Sequence, residues 1–377
     1  MSAITGRVGI QQRVLANYRV PFFDLLSQAY PAGLQVYAGQ PRRGETIDVA
    51  GLPDATRYIV GHNVHLLAGK FYLYRQPGIT DWVRQFQPHV LVVEINARNR
   101  SLGSVIAAMR ASGGAVVGWG LGAPERGGWF ARLAHSAQHA LLERLDAVIA
   151  YSQRGAQEYA RLGFPAERIV VAPNAVVRSP GGDRRVRRAA VAGRKQVVLY
   201  VGRLQARKRV DLLLRAAADL PREIRPEVWI VGDGPERLPL ERLASQLALD
   251  ARFFGSRFGD DLDELYERAS LFVLPGTGGL ALQQAMAHGL PVIAAEGDGT
   301  QQDLVTPDTG WLVEPGNLAS LNSALKDALT HPERLDSFGR AAWQLVKDEV
   351  NLDIMVDRFV EAINLALELQ YARSGRR

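Results

Sequence analysis

Apolar runs short enough to be strands alternate with helix-length segments of mixed polarity along almost all of this chain. Continuous apolar runs belong to strands buried on both faces, and the segments between them are the helices that cover those faces. The pattern specifies an α/β fold built on doubly wound parallel sheets. Residues 8–15, 33–37, 90–95, 115–119, 147–151 and 169–172 read as a first series of strands. Residues 197–201, 228–231, 251–254, 271–274 and 291–294 read as a second, with a short late strand at 311–313.

The alternation breaks once, at residues 174–195, NAVVRSPGGDRRVRRAAVAGRK, a stretch rich in Gly, Arg and Pro with no strong period. It reads as a linker with a basic helix inside it, and a chain of 377 residues suits two domains. The expected division is a Rossmann-like domain over 1–175, a linker over 176–195, a second Rossmann-like domain over 196–350, and 351–377 as a helix packing back on the first. Its periodic part is 353–367, and 373–377 read as frayed. The two sheets are expected to face a cleft at their carboxyl ends, where open α/β folds bind ligands.

Composition narrows the function. The chain has no cysteine, which excludes disulfides and thiolate metal sites and fits a cytoplasmic protein. It opens on no charged segment followed by an apolar one, and no apolar run approaches the roughly 20 residues of a membrane-spanning helix. His135 and His139 lie a helical turn apart without a third ligand at suitable spacing, so no metal is expected. The net charge of +6 favours an anionic partner. No helix-turn-helix, zinc-finger or RNP-like run directs that charge to nucleic acid. Residues 126–135, RGGWFARLAH, mix arginines with Trp129 and Phe130; they read as an ordinary loop and helix start, or as a peripheral contact with an anionic membrane.

The chemistry concentrates in the second half. In VVLYVGRLQARKRVD, residues 197–211, a strand ends at Gly202, Arg203 and Lys208 follow, and a helix begins near Asp211. Two cations at the carboxyl end of a strand, beside a helix start, suit a diphosphate; a solvated basic turn is the plainer reading. Residues 228–235, VWIVGDGP, read alone as a strand with a tight turn into a helix. In FFGSR, residues 253–257, Gly255 lets backbone approach a flat ligand such as a base. In LFVLPGTGGLALQQAMAHGLPVIA, residues 271–294, a strand stops at Pro275, Gly276-Thr277-Gly278-Gly279 opens a helix running from about Leu280 to His288, and Gly289 caps it. Such a loop aims several N–H donors at one spot, with Gln284 a turn inside on the face of Leu280. It also fits a plain βαβ unit, but with more glycine than a turn requires.

These segments, in this order, resemble the donor half of the retaining family 4 glycosyltransferases of GT-B fold. The resemblance rests on Gly202-Arg203-Leu204, Lys208, Asp211 and Leu212; on Gly232-Asp233-Gly234-Pro235; on Phe253 or Phe254 with Gly255; and on Gln284-Ala285-Met286-Ala287-His288-Gly289-Leu290-Pro291-Val292. The first half is similar more loosely, through Tyr151-Ser152 and Pro173-Asn174. The resemblance implies a nucleoside-diphosphate sugar as donor substrate, no cofactor, and transfer to a saccharide or lipid-linked acceptor in polysaccharide, glycolipid or glycoconjugate synthesis. It implies that Arg203 and Lys208, beside Gly202, stabilise the departing diphosphate, a role that can replace a metal. Ser256 and Arg257 would lie by the base, Thr277, Gly278, Gly279 and Leu280 would present backbone to sugar and phosphates, and Gln284 would face the ribose.

The chain departs from the family pattern at several positions. The family's two glutamates, eight residues apart, fall on Gly276 and Gln284; glutamine still bonds hydroxyls, whereas glycine offers no carboxylate. Arg209 stands where the family often has glycine, and Leu121 where it usually has histidine. These differences keep two other readings open: a non-catalytic nucleotide-binding partner of another transferase, and a nucleotide-sugar epimerase. Gly297-Asp298-Gly299-Thr300 ends a strand and either touches the donor sugar or makes a turn.

On the acceptor side, Tyr18 and Arg19 follow the first strand, Arg19 as a candidate for an acceptor phosphate and Tyr18 for stacking on a sugar. The plainer reading has Phe22 and Phe23 in the core and Arg19 on the surface. Glu94 is a carboxylate in an otherwise apolar run, VLVVEI, so it is either paired with an arginine or a site residue, a candidate acceptor-binding carboxylate or base, with Arg98 close behind.

Overall fold

The computed structural model describes residues 6–42, 45, 57–66, 72–123, 129–181 and 195–375, without the side chains of 129–135. The basic stretch 182–194 and residues 126–128 of the candidate membrane segment lie outside the described residues, as do the side chains of that segment's remainder. The chain divides into two units, Met1–Pro173 with Leu352–Arg377, and Asn174–Asn351.

The first unit contains β1 (Val8–Val14), α1 (Val20–Gln28), β2 (Leu34–Gly39), β3 (Tyr58–Val60), β4 (Val64–His65), β5 (Tyr74–Arg75), α2 (Ile79–Phe86), β6 (Val90–Glu94), α3 (Leu102–Ala111), β7 (Ala115–Gly120), α4 (Trp129–Leu142), β8 (Ala147–Ala150), α5 (Gln153–Arg161) and β9 (Ile169–Val171). Its parallel sheet runs β3-β2-β1-β6-β7-β8-β9. The apolar runs Val90–Glu94 and Ala147–Ala150 are buried up to their last residues, as strands covered on both faces require. Ser152 starts α5 directly after β8, its Oγ accepting from Gly155 N at 3.0 Å.

The second unit contains β10 (Val197–Val201), α6 (Val210–Ala218), β11 (Glu227–Val231), α7 (Arg237–Gln246), β12 (Ala251–Gly255), α8 (Asp260–Arg268), β13 (Leu271–Leu274), α9 (Leu280–Ala287), β14 (Val292–Ala295), α10 (Thr300–Leu304), β15 (Gly310–Val313), α11 (Leu318–Thr330) and α12 (Pro332–Asp348). Its sheet is also parallel, in the order β12-β11-β10-β13-β14-β15. Gly232 is required where the backbone turns after β11: its φ is +129°, and a Cβ there would stand 2.0 Å from Gly202 O. Helix α9 ends in a Schellman arrangement, with Gly289 N donating to Met286 O at 2.8 Å and Leu290 N to Ala285 O at 3.0 Å.

The last helix, α13 (Leu352–Ser374), belongs to the first unit. Met355, Phe359, Ile363, Ala366 and Leu367 lie on one buried stripe at helical spacing. Phe359 meets Phe22 at 4.7 Å and Trp119 at 4.9 Å between ring centroids. Arg373 pairs with the fully buried Asp146, which also takes Arg110 at 2.8 Å and Val116 N at 2.8 Å.

The α/β class with two parallel sheets follows the alternation of the sequence. The differences are local. Helix α6 begins at Val210, one residue before the expected start, and α13 runs to Ser374, into the residues that read as frayed. The short strands β3, β4 and β5 were not anticipated, because two or three residues carry no readable period. Residues 174–181 group with the second unit, where Val176 N donates to Gln283 Oε1 at 2.8 Å.

Candidate functional site

In the second sheet the chain order reverses at β10 and β13: β11 and β12 extend one way, β14 and β15 the other. The carboxyl edge at such a switch point is where open α/β sheets bind their ligands. The loop after β10 carries Arg203 to Arg209, and the loop after β13 carries Gly276 to Gly279. They meet directly. Lys208 Nζ donates to Thr277 O at 2.5 Å, Arg207 Nη1 donates to Thr277 Oγ1 at 2.9 Å, and Thr277 N donates to Arg207 O at 3.4 Å. The loop after β14 is fastened to the same place by the buried Gln301, whose Oε1 accepts from Asp298 N at 3.1 Å while its Nε2 donates to Gly278 O.

The glycines have a steric cause. A Cβ on Gly276 would stand 2.5 Å from Arg207 O and 2.6 Å from Lys208 O, and one on Gly278 would stand 2.7 Å from Lys208 Nζ. The basic turn therefore lies on the loop so closely that position 276 has no room for a side chain. Helix α9 then starts at Gly279 without a side-chain cap. The N–H groups of residues 278–282 have no acceptor among the described residues, so this helix start offers a bundle of donors. Burial pushes the Lys208 ammonium down to about 8, the neighbouring Arg207 acts in the same direction, and Asp298 opposes them. Arg203 is exposed, and its guanidinium has no hydrogen bond or ion pair among the described residues.

Gly202 N is fixed to Val231 O at 3.0 Å. Leu280 opens α9. Gln284 is half-buried, and its side chain makes no hydrogen bond among the described residues. Its neighbour Gln283 is the structural one of the pair, fully buried and donating to Val350 O at 2.5 Å. Ser256 and Arg257 are exposed after β12, at the edge of the sheet, beside Phe258, which is 75% exposed. Neither side chain makes a hydrogen bond or ion pair among the described residues.

The first sheet has its own switch point, between β1 and β6. Arg19 is buried there, not on the surface, with its guanidinium 5.0 Å from the Trp119 ring, 5.2 Å from Tyr18 and 5.6 Å from Tyr151. No carboxylate lies within ion-pair distance of it among the described residues; its polar contacts are Tyr151 Oη at 3.5 Å and Met355 Sδ at 4.0 Å. Phe22 and Phe23 are core, and Tyr18 is 48% exposed. Glu94 makes no arginine pair among the described residues, since Arg13 goes to Glu45 at 2.8 Å. Burial pushes the Glu94 carboxyl up to about 7, against the opposing pull of the Arg13 backbone and the Arg13 and Arg19 charges. Arg98 is exposed, its N donating to Asn96 Oδ1 at 3.1 Å. Leu121 is 49% exposed. Among the described residues no cluster of His, Cys, Asp or Glu has the make-up of a metal site.

Residues 7–175 match the family model for the glycosyl transferase 4-like domain, and residues 183–344 match that for glycosyl transferases group 1. The chain belongs to the group 1 glycosyltransferases. This group 1 chain is 32% identical over 167 residues to the sulfoquinovosyl transferase SQD2 of Arabidopsis thaliana, covering 42% of this chain and 32% of that protein. It is 36% identical over 190 residues to the D-inositol 3-phosphate glycosyltransferase of Rhodococcus jostii (strain RHA1), covering 46% and 42%. The matches thus span about a third to two fifths of these curated relatives. In fold it resembles Anabaena Alr3699/HepE solved in complex with UDP, with a TM-score of 0.72 at 18% identity over 96% of this chain and 100% of that one. The architecture is GT-B. The epimerase and non-catalytic readings gain nothing from these likenesses.

Sequence reasoning missed Arg207 and Gln301. Arg207 had a signal, since it stands beside Lys208 in a run of three cations. Gln301 had none: a single glutamine in a polar turn does not announce that it bridges two loops.

Proposed function

We propose that this group 1 chain transfers a sugar from a nucleoside-diphosphate donor to an acceptor hydroxyl, with retention at the anomeric carbon and without a metal. One observation carries the reading: the Lys208 ammonium is fixed against the loop that opens α9, where the N–H groups of residues 278–282 are free. A diphosphate bound there meets backbone donors, the helix start and a cation together. Arg203, unpaired among the described residues and on the same loop as Lys208, supplies the second charge as the glycosidic bond breaks. Gln284 takes the ribose, Thr277, Gly278, Gly279 and Leu280 line the sugar and phosphates, and Ser256 and Arg257 take the base.

The first unit recognises the acceptor. A buried guanidinium with no carboxylate partner favours a phosphorylated or lipid-linked saccharide, and Glu94, with Arg98 near it, is the carboxyl that accepts from the acceptor hydroxyl. The enzyme would act at the cytoplasmic face of a membrane, in polysaccharide, glycolipid or glycoconjugate synthesis. No helix among the described residues is long and apolar enough to cross that membrane.

A thermal-shift panel of UDP-, GDP-, ADP- and dTDP-sugars tests the donor class, because a ligand that binds only the folded state raises the melting temperature. One nucleoside is expected to stand out, and its labelled sugar to appear in an acceptor with unchanged anomeric configuration. Arg203→Ala is expected to lower turnover about 100-fold. An unchanged rate would defeat the role given to Arg203. Conversion of the donor without acceptor would indicate an epimerase, and nucleotide binding without sugar release a non-catalytic partner.

A further inference from the structure

A site that selects one sugar needs a side chain able to read its hydroxyl groups, and the glycine loop supplies little. Position 276 is sterically closed to a side chain by the backbone of the basic turn, position 278 holds a φ of +140° that side chains rarely adopt, and a Cβ on Gly279 would come within 3.1 Å of Thr300 Cγ2. The Thr277 hydroxyl is engaged by Arg207 and its carbonyl by Lys208.

The neighbouring loop offers Asp298. It is exposed, and its Oδ1 accepts from Thr300 N at 3.2 Å while Oδ2 has no partner among the described residues. Its charge supports the Lys208 ammonium, yet the two make no ion pair among the described residues. Gln301 joins the Asp298 backbone to Gly278 O, so the carboxylate has a fixed position relative to the start of α9. An anchored carboxylate with one open oxygen, beside a cation it does not neutralise by contact, is arranged to accept from hydroxyl groups.

We infer that Asp298 selects the donor sugar: its open oxygen accepts hydroxyl hydrogens of a neutral hexosyl group, and its charge turns away donors whose sugar bears a carboxylate or sulfonate. This rests on the donor site proposed above. The sulfoquinovosyl relative is named for a sulfonated sugar, so the inference separates this chain from that relative by donor charge.

Calorimetric titration of the full chain tests it, using UDP, GDP and ADP, the glucose or mannose derivative of whichever binds, and the matching uronate (UDP-glucuronate or GDP-mannuronate). The wild type is expected to prefer the neutral hexose. Asp298→Ala is expected to weaken that donor about 10- to 100-fold while leaving the free nucleoside diphosphate within about twofold. Asp298→Asn, which keeps an acceptor for Thr300 N, is expected to narrow the gap to the uronate with an unchanged melting temperature. Undiminished hexose binding in Asp298→Ala, or equal loss of the free diphosphate, overturns the inference alone. Failure of the wild type to bind any nucleoside diphosphate overturns it together with the proposed donor site.

Discussion

At the residue scale, two titrating groups give the clearest tests. Lys208 sits below the usual lysine range, at about 8, because its ammonium is half-buried beside Arg207. Its charge is present at neutral pH and is lost as pH rises through 8. Donor kcat/KM is therefore expected to decline over that range, and Lys208→Arg, which stays charged, is expected to remove the decline; a pH–rate series from 6.5 to 9.5 checks this. Glu94 sits above the usual carboxylate range, at about 7. Between the ordinary value of 4.5 and about 7 the native state binds more protons than the unfolded state, so this carboxyl lowers stability as pH rises through that window. Glu94→Gln is expected to flatten the pH dependence of the melting temperature between 5 and 8, by an amount equivalent to about 1–3 kcal/mol.

At the scale of single elements, the turn between β10 and α6 contains a local strain. Arg209 holds φ +52°, a left-handed conformation that an L residue with a Cβ resists, and its guanidinium pairs with Asp211 at 3.2 Å. Relief of the strain outweighs a half-exposed ion pair, so Arg209→Gly is expected to stabilise the second unit by about 0.5–1 kcal/mol in urea titrations. The position is one where the sequence differs from its family, and the backbone shows what the difference costs. Much else at this scale was legible beforehand. The strands β10 and β13, the glycine loop and the capped α9 all announce themselves, because buried parallel strands are unbroken apolar runs and glycines punctuate them. The contacts across the loops were not legible. Lys208 and Thr277 are far apart in sequence, and only the strand order β10-β13 makes them neighbours. Gly276 illustrates the limit: in the sequence it is a missing carboxylate, whereas in the fold it is a place already filled by the backbone of Arg207 and Lys208.

For the whole molecule, the decisive element is α13, which follows the second unit in sequence and packs on the first. Asp146 secures it. The carboxylate is fully buried between Arg110 and Arg373 and accepts from Val116 N. Removing it leaves two arginines without their shared anion and a buried N–H without an acceptor. Asp146→Ala is expected to destabilise the first unit by about 3 kcal/mol, and hydrogen exchange in β7, β8 and α13 should quicken while the second unit is unaffected. The same arrangement bears on biosynthesis. As the nascent polypeptide leaves the ribosome, Phe22 and Trp119 emerge long before the Phe359 ring that covers them. The leading half must wait, with part of its oily surface bare, until the intervening half has been translated, and during that interval it is the natural client of a chaperone.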